Sequence, residues 1–258
     1  MNSYNSPTSI AMLIWPSLRA LAYLEMLNKC ELFPNEVIII QNSNFEKINE
    51  ELSSESKKYH YHNFFNISNN IDNFFEVNKD CRVINLNTNK INDPMVIQAV
   101  EKLKNKYIIF TGGGILKKTI LSLNKYFIHI HPGIIPTYRG STCFNYSLLE
   151  NFSLGSTAYF MNEKIDSGEI IIQKNFKLNY FINPDQPLFI DHILDNYIRA
   201  QTLMSTVKLF IENPNFKTKT EDCSGFAYYI MHPLLRYLTI KKINNEFSSK
   251  TKTGIKMI

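Results

Sequence analysis

The chain is poor in the residues that would classify it at a glance. Its four cysteines, Cys30, Cys81, Cys143 and Cys223, are scattered and form no CxxC pair, which argues against a zinc ribbon and leaves no disulfide framework. The longest apolar run near the N-terminus, residues 10 to 15, is far too short to span a bilayer, and no basic stretch precedes it. Neither a membrane span nor a signal peptide is expected, and a reducing cytoplasm is the expected setting. Arginine is scarce, five against 23 lysines, and five of those lysines fall in the last 18 residues. With that tail set aside the body is nearly neutral, so the tail reads as a solvated terminus and nucleic acid is not an expected partner. No internal repeat is present.

What is present is the pattern of an α/β protein. A hydrophobic content of 44% with 20% charged residues marks a soluble globular chain, and 258 residues suffice for one large domain or one domain with an appendage. Apolar runs bounded by turn residues alternate with helix-period segments, which predicts a doubly wound, mostly parallel, Rossmann-like sheet with helices on both faces. Strands are expected over residues 9–15, 36–41, 81–87, 107–111, 126–132, 156–161 and 169–176. After the first strand Pro16 suits the start of a helix in which Leu18, Leu21, Ala22, Leu24 and Leu27 recur at helical spacing. Asp93 and Pro94 read as the cap and first position of another helix. Residues 44–65 read as a polar helix or loop, and residues 191–213 as an amphipathic helix. A break near residues 183–187 divides a catalytic domain, 1–182, from a small, mainly helical segment, 183–258, packed on it or extending it.

The residues able to do chemistry converge on one edge of that sheet. In "FIHIHPGIIPTYRG", His129 and His131 are two apart on a strand, so they share a face at its carboxyl end. Ligands bind at that end of an open α/β sheet. Gly112, Gly113 and Gly114 leave the same end of a neighbouring strand, where exposed amides suit a flat ligand or an anion. Asp166, in "KIDSG", lies in a turn between two strands, where an Asx-turn is the ordinary role. Taken singly, these side chains fit a metal-ligand pair with a distant carboxylate, a catalytic set, or polar strand ends.

Taken together, "TGGGIL", "HPGIIPTYRG" and "IDSGEII" resemble the formyltransferases that use 10-formyltetrahydrofolate. Their motif runs approximately Asn-x-His-Pro-Ser-Leu-Leu-Pro-x-Tyr-Arg-Gly, followed by Asp-x-Gly. His131, Pro132, Pro136, Tyr138, Arg139, Gly140, Asp166 and Gly168 match it in order and spacing. The resemblance is firm over residues 107–176 and absent after residue 183. It implies attack of a neutral amine on the formyl carbon, with His131 stabilising the oxyanion and Asp166 orienting it and relaying protons. It places the folate against Gly112, Gly113, Gly114, Ile115, Leu116, Ile165 and Gly168, and the acceptor near Arg139, Gly140 and Ser141. No metal and no covalent intermediate is required. The implied partners are folate and a small-molecule amine, of the amino sugar nucleotide, amino acid or peptide-like kind; a homodimer and a tRNA substrate are left open.

Two departures qualify the resemblance. His129 stands where the family has asparagine; imidazole donates one hydrogen bond in place of the amide, but its protonation then matters near neutral pH. The glycine-rich phosphate loop of the purine enzyme is replaced by "WPSLRA", which removes the backbone cradle for a phosphate and disfavours glycinamide ribonucleotide. Arg19 in that stretch reads as a surface arginine able to meet an anion. The methionyl-tRNA enzyme is disfavoured because the residues after 183 look helical rather than barrel-like. The alternatives are a folate hydrolase, a metal-dependent hydrolase using His129 and His131, and a silent binding domain. "YHYH" at residues 59–62 reads as an exposed polar strand or loop, His232 as structural, and Cys143 as a lining of the acceptor pocket.

Overall fold

A computed structural model describes residues 10–42, 45–178, 182, 186, 188–213, 216–223 and 226–252. Its strands are β1 (Ile10–Ile14), β2 (Glu36–Ile39), β3 (Arg82–Asn85), β4 (Tyr107–Phe110), β5 (Tyr126–His131), β6 (Leu154–Phe160) and β7 (Ile170–Phe176). The segment IAMLI is apolar at every position, and a strand of that kind needs cover on both faces. It obtains it at the middle of one sheet ordered β3-β2-β1-β4-β5-β6-β7. The first five strands in that order pair in parallel, whereas β6 runs antiparallel to both β5 and β7. The mostly parallel α/β architecture expected from the sequence is the one observed.

Alternation along β1 sorts the core into two layers. Ile10, Met12 and Ile14 join one cluster, and Ala11 and Leu13 the other. The first layer receives Leu21 and Leu24 of α1 (Leu18–Lys29), and the second Val96 and Val100 of α4 (Pro94–Glu101). Both helices start where short-range chemistry says they should. Ser17 accepts from the Ala20 N–H and Asp93 from the Met95 N–H, with Pro94 at the first position of α4; Pro16 lies just outside α1. Residues 45–65 of the expected polar helix or loop resolve into α2 (Phe45–Tyr59) and a 3₁₀ turn over Tyr61–Asn63. A further helix, α3 (Ile71–Val77), capped by Asn70, was not anticipated, because two turns carry too little periodicity to register.

The remaining helices are α5 (Lys118–Leu121), α6 (Cys143–Asn151), α7 (Asp195–Glu212) and α8 (Pro233–Lys252). The expected helix at residues 191–213 opens as a π-helical stretch, Phe189–Leu194, that runs into α7. Helix α7 lies against α1 and against β5, β6 and β7. Its Ile198, Leu203 and Val207 belong to the same cluster as Met12 and Leu24, and so do Ile240 and Ile243 of α8. Most of the expected break at 183–187, and the last six residues of the lysine-rich tail, lie outside the described residues. No helix among the described residues is long and apolar enough to cross a membrane.

Leu203 is fully buried where α7 meets the shared core. We expect Leu203→Ala to cost about 2–5 kcal/mol. Chemical denaturation checks this: the midpoint falls within a single transition. A separate early transition would show that α7 unfolds independently of the sheet.

Candidate active site

The chain leaves β1, builds the sheet outward through β2 and β3, and returns to β4 beside β1. The two strands stay paired to their carboxyl ends, but the segments that leave them connect to opposite sides of the sheet, which is where a crevice opens. Trp15 leaves β1 there and Thr111 leaves β4. The Thr111 hydroxyl accepts from the Trp15 N–H at 2.9 Å, and its carbonyl accepts from Arg19 Nη1 at 2.9 Å. Gly112, Gly113 and Gly114 follow with φ of 128°, 102° and 126°. A Cβ on Gly113 would come within 2.4 Å of the Trp15 ring, and one on Gly112 within 2.9 Å of Arg19 Nη1. The glycines therefore admit Trp15 and Arg19 as well as relieving strain. Arg19 is half-buried rather than the surface residue the sequence led us to expect: its Nε is enclosed, and burial, then the neighbouring Arg199, lower its pKa to about 10.

The glycine loop separates two clefts. One, of about 300 Å³, is lined by Trp15, Arg19, Gly112, Gly113, Asp191 and their neighbours. The other, of about 130 Å³, is lined by Phe110, Gly114, Ile115, Leu116, His129, Tyr159, Ile165 and Asp166, among others. The residues expected to cradle a ligand are thus divided: Gly114, Ile115, Leu116 and Ile165 line the second cleft, and Gly112 and Gly113 the first. Gly168 lies beneath the Asp166 turn. A Cβ there would fall 1.6 Å from the Phe160 carbonyl oxygen, so only glycine lets this turn lie flat on the end of β6.

Asp166 itself has φ 48°, a left-handed conformation that aspartate tolerates better than most residues. Its Oδ2 accepts from the Gly140 N–H at 2.8 Å, and its Oδ1 accepts from the Tyr159 hydroxyl at 3.0 Å. Oδ1 also faces His131 Nδ1 at 3.4 Å. Burial alone would raise the Asp166 pKa, but His131 and the Gly140 N–H outweigh it and hold the carboxyl below the usual carboxylate range. Burial, and then Asp166 itself, push the Tyr159 phenol well up, which keeps it a donor.

The two histidines sit in opposite environments. His131 is 1% exposed, with Nε2 2.8 Å from the Tyr138 carbonyl and Nδ1 toward Asp166. Both ring nitrogens face acceptors, so imidazolium is the form that satisfies both. Burial opposes that charge, but Asp166, assisted by a contact with Cys143, raises the His131 pKa to about 10. His129 lines the second cleft, and its Nε2 lies 3.2 Å from Arg199 Nη2. Burial, then Arg199 and Arg19, hold its pKa well below the ordinary histidine value. Nε2 of each ring is taken, one by the Arg199 guanidinium and the other by the Tyr138 carbonyl, and His131 Nδ1 faces Asp166. Among the described residues no three His, Cys, Asp or Glu side chains are grouped as a metal site.

The remaining candidates support the site from behind. Arg139 is buried and donates to the Cys223 carbonyl, Gly140 holds Asp166 through its N–H, and the Ser141 N–H goes to the Tyr228 carbonyl at 2.9 Å. Gly140, at φ 94°, gives room to Tyr228, whose carbonyl oxygen would lie 2.2 Å from a Cβ. Cys143 is fully buried at the start of α6, against His131. His232 accepts from the Leu234 N–H at the start of α8, whereas the stretch expected as an exposed strand or loop is the end of α2 and a 3₁₀ turn in which Tyr61 is fully buried and donates to Glu55. Arg199, in contrast, was missed. Its only sequence signal is a cation on the apolar stripe of α7, four residues after Asp195, which it meets at 3.1 Å.

Residues 35–180 match the family model described as formyl transferase, more than half of the chain. The chain belongs to the formyl transferase family. A methionyl-tRNA formyltransferase of Syntrophus aciditrophicus is 29% identical over 135 residues, 51% of this chain and 42% of that protein. One from Clostridium tetani is 36% identical over 90 residues, 33% of this chain and 29% of that protein. The chain thus spans less than half the length of the curated formyl transferases it matches. Two solved structures share the fold. A sugar N-formyltransferase from a Shewanella species has a TM-score of 0.50 at 14% identity, covering 90% of this chain and 87% of that one. Glycinamide ribonucleotide transformylase 1 from Symbiobacterium toebii has a TM-score of 0.51 at 15% identity, covering 83% and 93%. The family match includes His129, His131 and Asp166 but ends before α7, which carries Arg199.

The ion pair gives a signed pH dependence. The His131 contribution to stability is complete below the ordinary histidine pKa and is lost as pH rises through about 10. The Asp166 contribution is present above the ordinary carboxylate pKa and is lost as pH falls through its depressed value. In Asp166→Asn burial should dominate, so His131 should titrate below the ordinary histidine value; an NMR titration of the ring checks this. Gly168→Ala, which displaces the turn, should move His131 in the same direction. A ring that still titrates near 10 in Asp166→Asn would remove Asp166 as the cause.

Proposed function

We propose that the chain transfers a formyl group from 10-formyltetrahydrofolate to an amine of a small metabolite. The observation that carries this reading is one cleft in which an ionised Asp166 and a neutral His129 lie beneath two exposed apolar lips. Ile115 and Ile165, 66% and 58% exposed, form those lips. Exposed aliphatic side chains on both sides of a narrow cleft suit a flat heteroaromatic ring, and the backbone at Gly114, Ile115 and Leu116 offers it polar groups. The residues below supply what formyl transfer needs. His131, as imidazolium, and His129 stabilise negative charge developing on the formyl oxygen. Asp166 accepts the proton that leaves the attacking nitrogen, directly or through water.

The first cleft, across the glycine loop, is the place we assign to the acceptor. Trp15 offers it an aromatic face, and Asp191 lines it with a carboxylate held by Arg236 and Asn145, which fits an amino sugar nucleotide, an amino acid or a peptide-like amine. Trp15 fills the space above Gly113, and this weighs against a phosphate cradle of the kind glycinamide ribonucleotide would need. In this reading residues 183–258 act with residues 1–182 as one cytoplasmic catalytic unit, because α7 brings Arg199 to the site.

The test is release of tetrahydrofolate from 10-formyltetrahydrofolate in the presence of a panel of amines. The panel includes amino sugar nucleotides, amino acids, glycinamide ribonucleotide and methionyl-tRNA, with a control lacking any amine. Acceptor-dependent release is expected, and Asp166→Ala should lower it by about 10²–10⁴-fold. Release without an amine would make the chain a hydrolase. Neither turnover nor binding of the donor would overturn the reading.

A further inference from the structure

We propose that Arg199 locks His129 as neutral imidazole protonated on Nδ1, so that His129 presents one fixed N–H to the formyl oxygen. This rests on the formyl-transfer reading for its purpose, but the lock itself follows from hydrogen-bond directions. A guanidinium has donors and no acceptor. Arg199 Nη2 lies 3.2 Å from His129 Nε2, so Nε2 must be the accepting nitrogen, and the single proton of the neutral ring is then on Nδ1. That Nδ1 is enclosed and has no hydrogen-bond partner, although the residue lines the cleft. Buried donors are almost always paired, so an unpaired one on a residue that lines a ligand cleft fits a donor that gains its partner when the ligand settles against the ring.

Arg199 is itself firmly placed. It is 2% exposed and paired with Asp195 one turn earlier on α7, at 3.1 Å. Charged and titratable groups surround His129 from every side: Arg199 from α7, Arg19 from α1, His131 from β5, Asp166 from the turn after β6, and Tyr159 from β6. Phe110 of β4 adds an uncharged ring, with centroids 6.1 Å apart. Two guanidinium groups and an imidazolium oppose a further positive charge, against one carboxylate already paired with His131. A protonated His129 would also set N–H against N–H at Arg199.

This assigns Arg199 a positioning role and explains how a histidine serves where the family resemblance calls for asparagine. An amide presents its donor at any pH, whereas an imidazole does so only if its tautomer and charge are fixed from outside.

The experiment is nitrogen-15 NMR of the His129 ring in the full chain, alongside kinetics of four proteins: wild type, Arg199→Met, His129→Asn and the double variant. The wild-type ring should be protonated at Nδ1 and bare at Nε2, unchanged over about pH 5 to 8, where a free histidine titrates. In Arg199→Met the ring should mix tautomers and ionise within that window, and kcat should fall about 10²-fold with a new acid limb, the cost of one lost oxyanion donor. KM for the donor should change little. In the His129→Asn background the same Arg199→Met change should cost far less, because an amide needs no lock. A wild-type ring that carries its proton on Nε2, or is charged at neutral pH, overturns the proposal. So does an equal loss from Arg199→Met in both backgrounds, which would make Arg199 merely structural. Should Arg199→Met not fold, the wild-type spectrum and Arg199→Lys, which keeps a donor, decide. If wild type turns over no 10-formyltetrahydrofolate, the formyl-transfer reading fails and the purpose assigned to the N–H goes with it, while the spectrum still decides the lock.

Discussion

A carboxylate and an imidazole pressed together below the surface are the constraint on which the rest of the site depends. Asp166 alone would be driven toward its neutral form by burial, and so would His131. Facing each other, each keeps the other charged, and the remaining lone pairs of the carboxylate are met by the Gly140 N–H and the Tyr159 hydroxyl. A buried pair of this kind survives only when its other hydrogen-bonding capacity is satisfied. That condition accounts for much of the motif. The Tyr138 carbonyl takes the second proton of His131, Gly140 offers its amide while yielding space to Tyr228, Arg139 pins the segment at Cys223, and Gly168 allows the Asp166 turn to rest on β6. The matching residues that surround Asp166 are mostly parts of its mounting.

The same mounting sets the character of the neighbouring histidine. His129 and His131 have one side-chain chemistry and lie on one strand, yet one faces two acceptors and the other faces a guanidinium. Environment, not residue type, makes one a cation and the other a neutral donor. Across a few ångströms the site therefore offers a positive charge, a neutral N–H and an anion. That is the set needed where a carbonyl oxygen gains charge while an attacking nitrogen sheds a proton.

The legible parts of this structure were those whose causes are local. The buried run of β1, the Asp93-Pro94 start of α4 and the Gly112 to Gly114 turn each act over a few neighbouring residues, and each appears where its sequence puts it. The motif around Asp166 was legible for the same reason. Strand periodicity placed both histidines on one face but could say nothing of depth, and His131 proves the deeper of the two while His129 reaches the cleft. Arg19 has the pattern of an exposed helix arginine; what buries it is the glycine loop, 92 residues from it to Thr111, together with Arg199 on α7. Arg199 meets His129 across 70 residues of sequence, beyond the reach of any periodicity. The contacts that define the electrostatics of the site are therefore long-range, and those are the ones a single sequence does not display.

In the formyl-transfer reading, acceptor choice and chemistry are separated in this fold. His129, His131 and Asp166, which that reading sets around the formyl oxygen, come from β5 and the turn after β6, braced by α7. The first cleft is bounded by the start of α1, the π-helical stretch before α7 and the outer side of the glycine loop. Among the described residues that loop borders both clefts, with Gly113 beneath Trp15 on one side and Gly114 on the other. Replacing a phosphate cradle by Trp15 alters the acceptor side while leaving Asp166, His131 and their hydrogen bonds untouched. Replacing asparagine by His129 is different, because an imidazole inside the reacting cleft brings a proton equilibrium with it. The chain tolerates the first departure through a glycine without a side chain. On the proposed lock, it tolerates the second through an arginine contributed from outside the matched family region, which would bind the helix beyond the motif to the chemistry more tightly than its sequence distance implies.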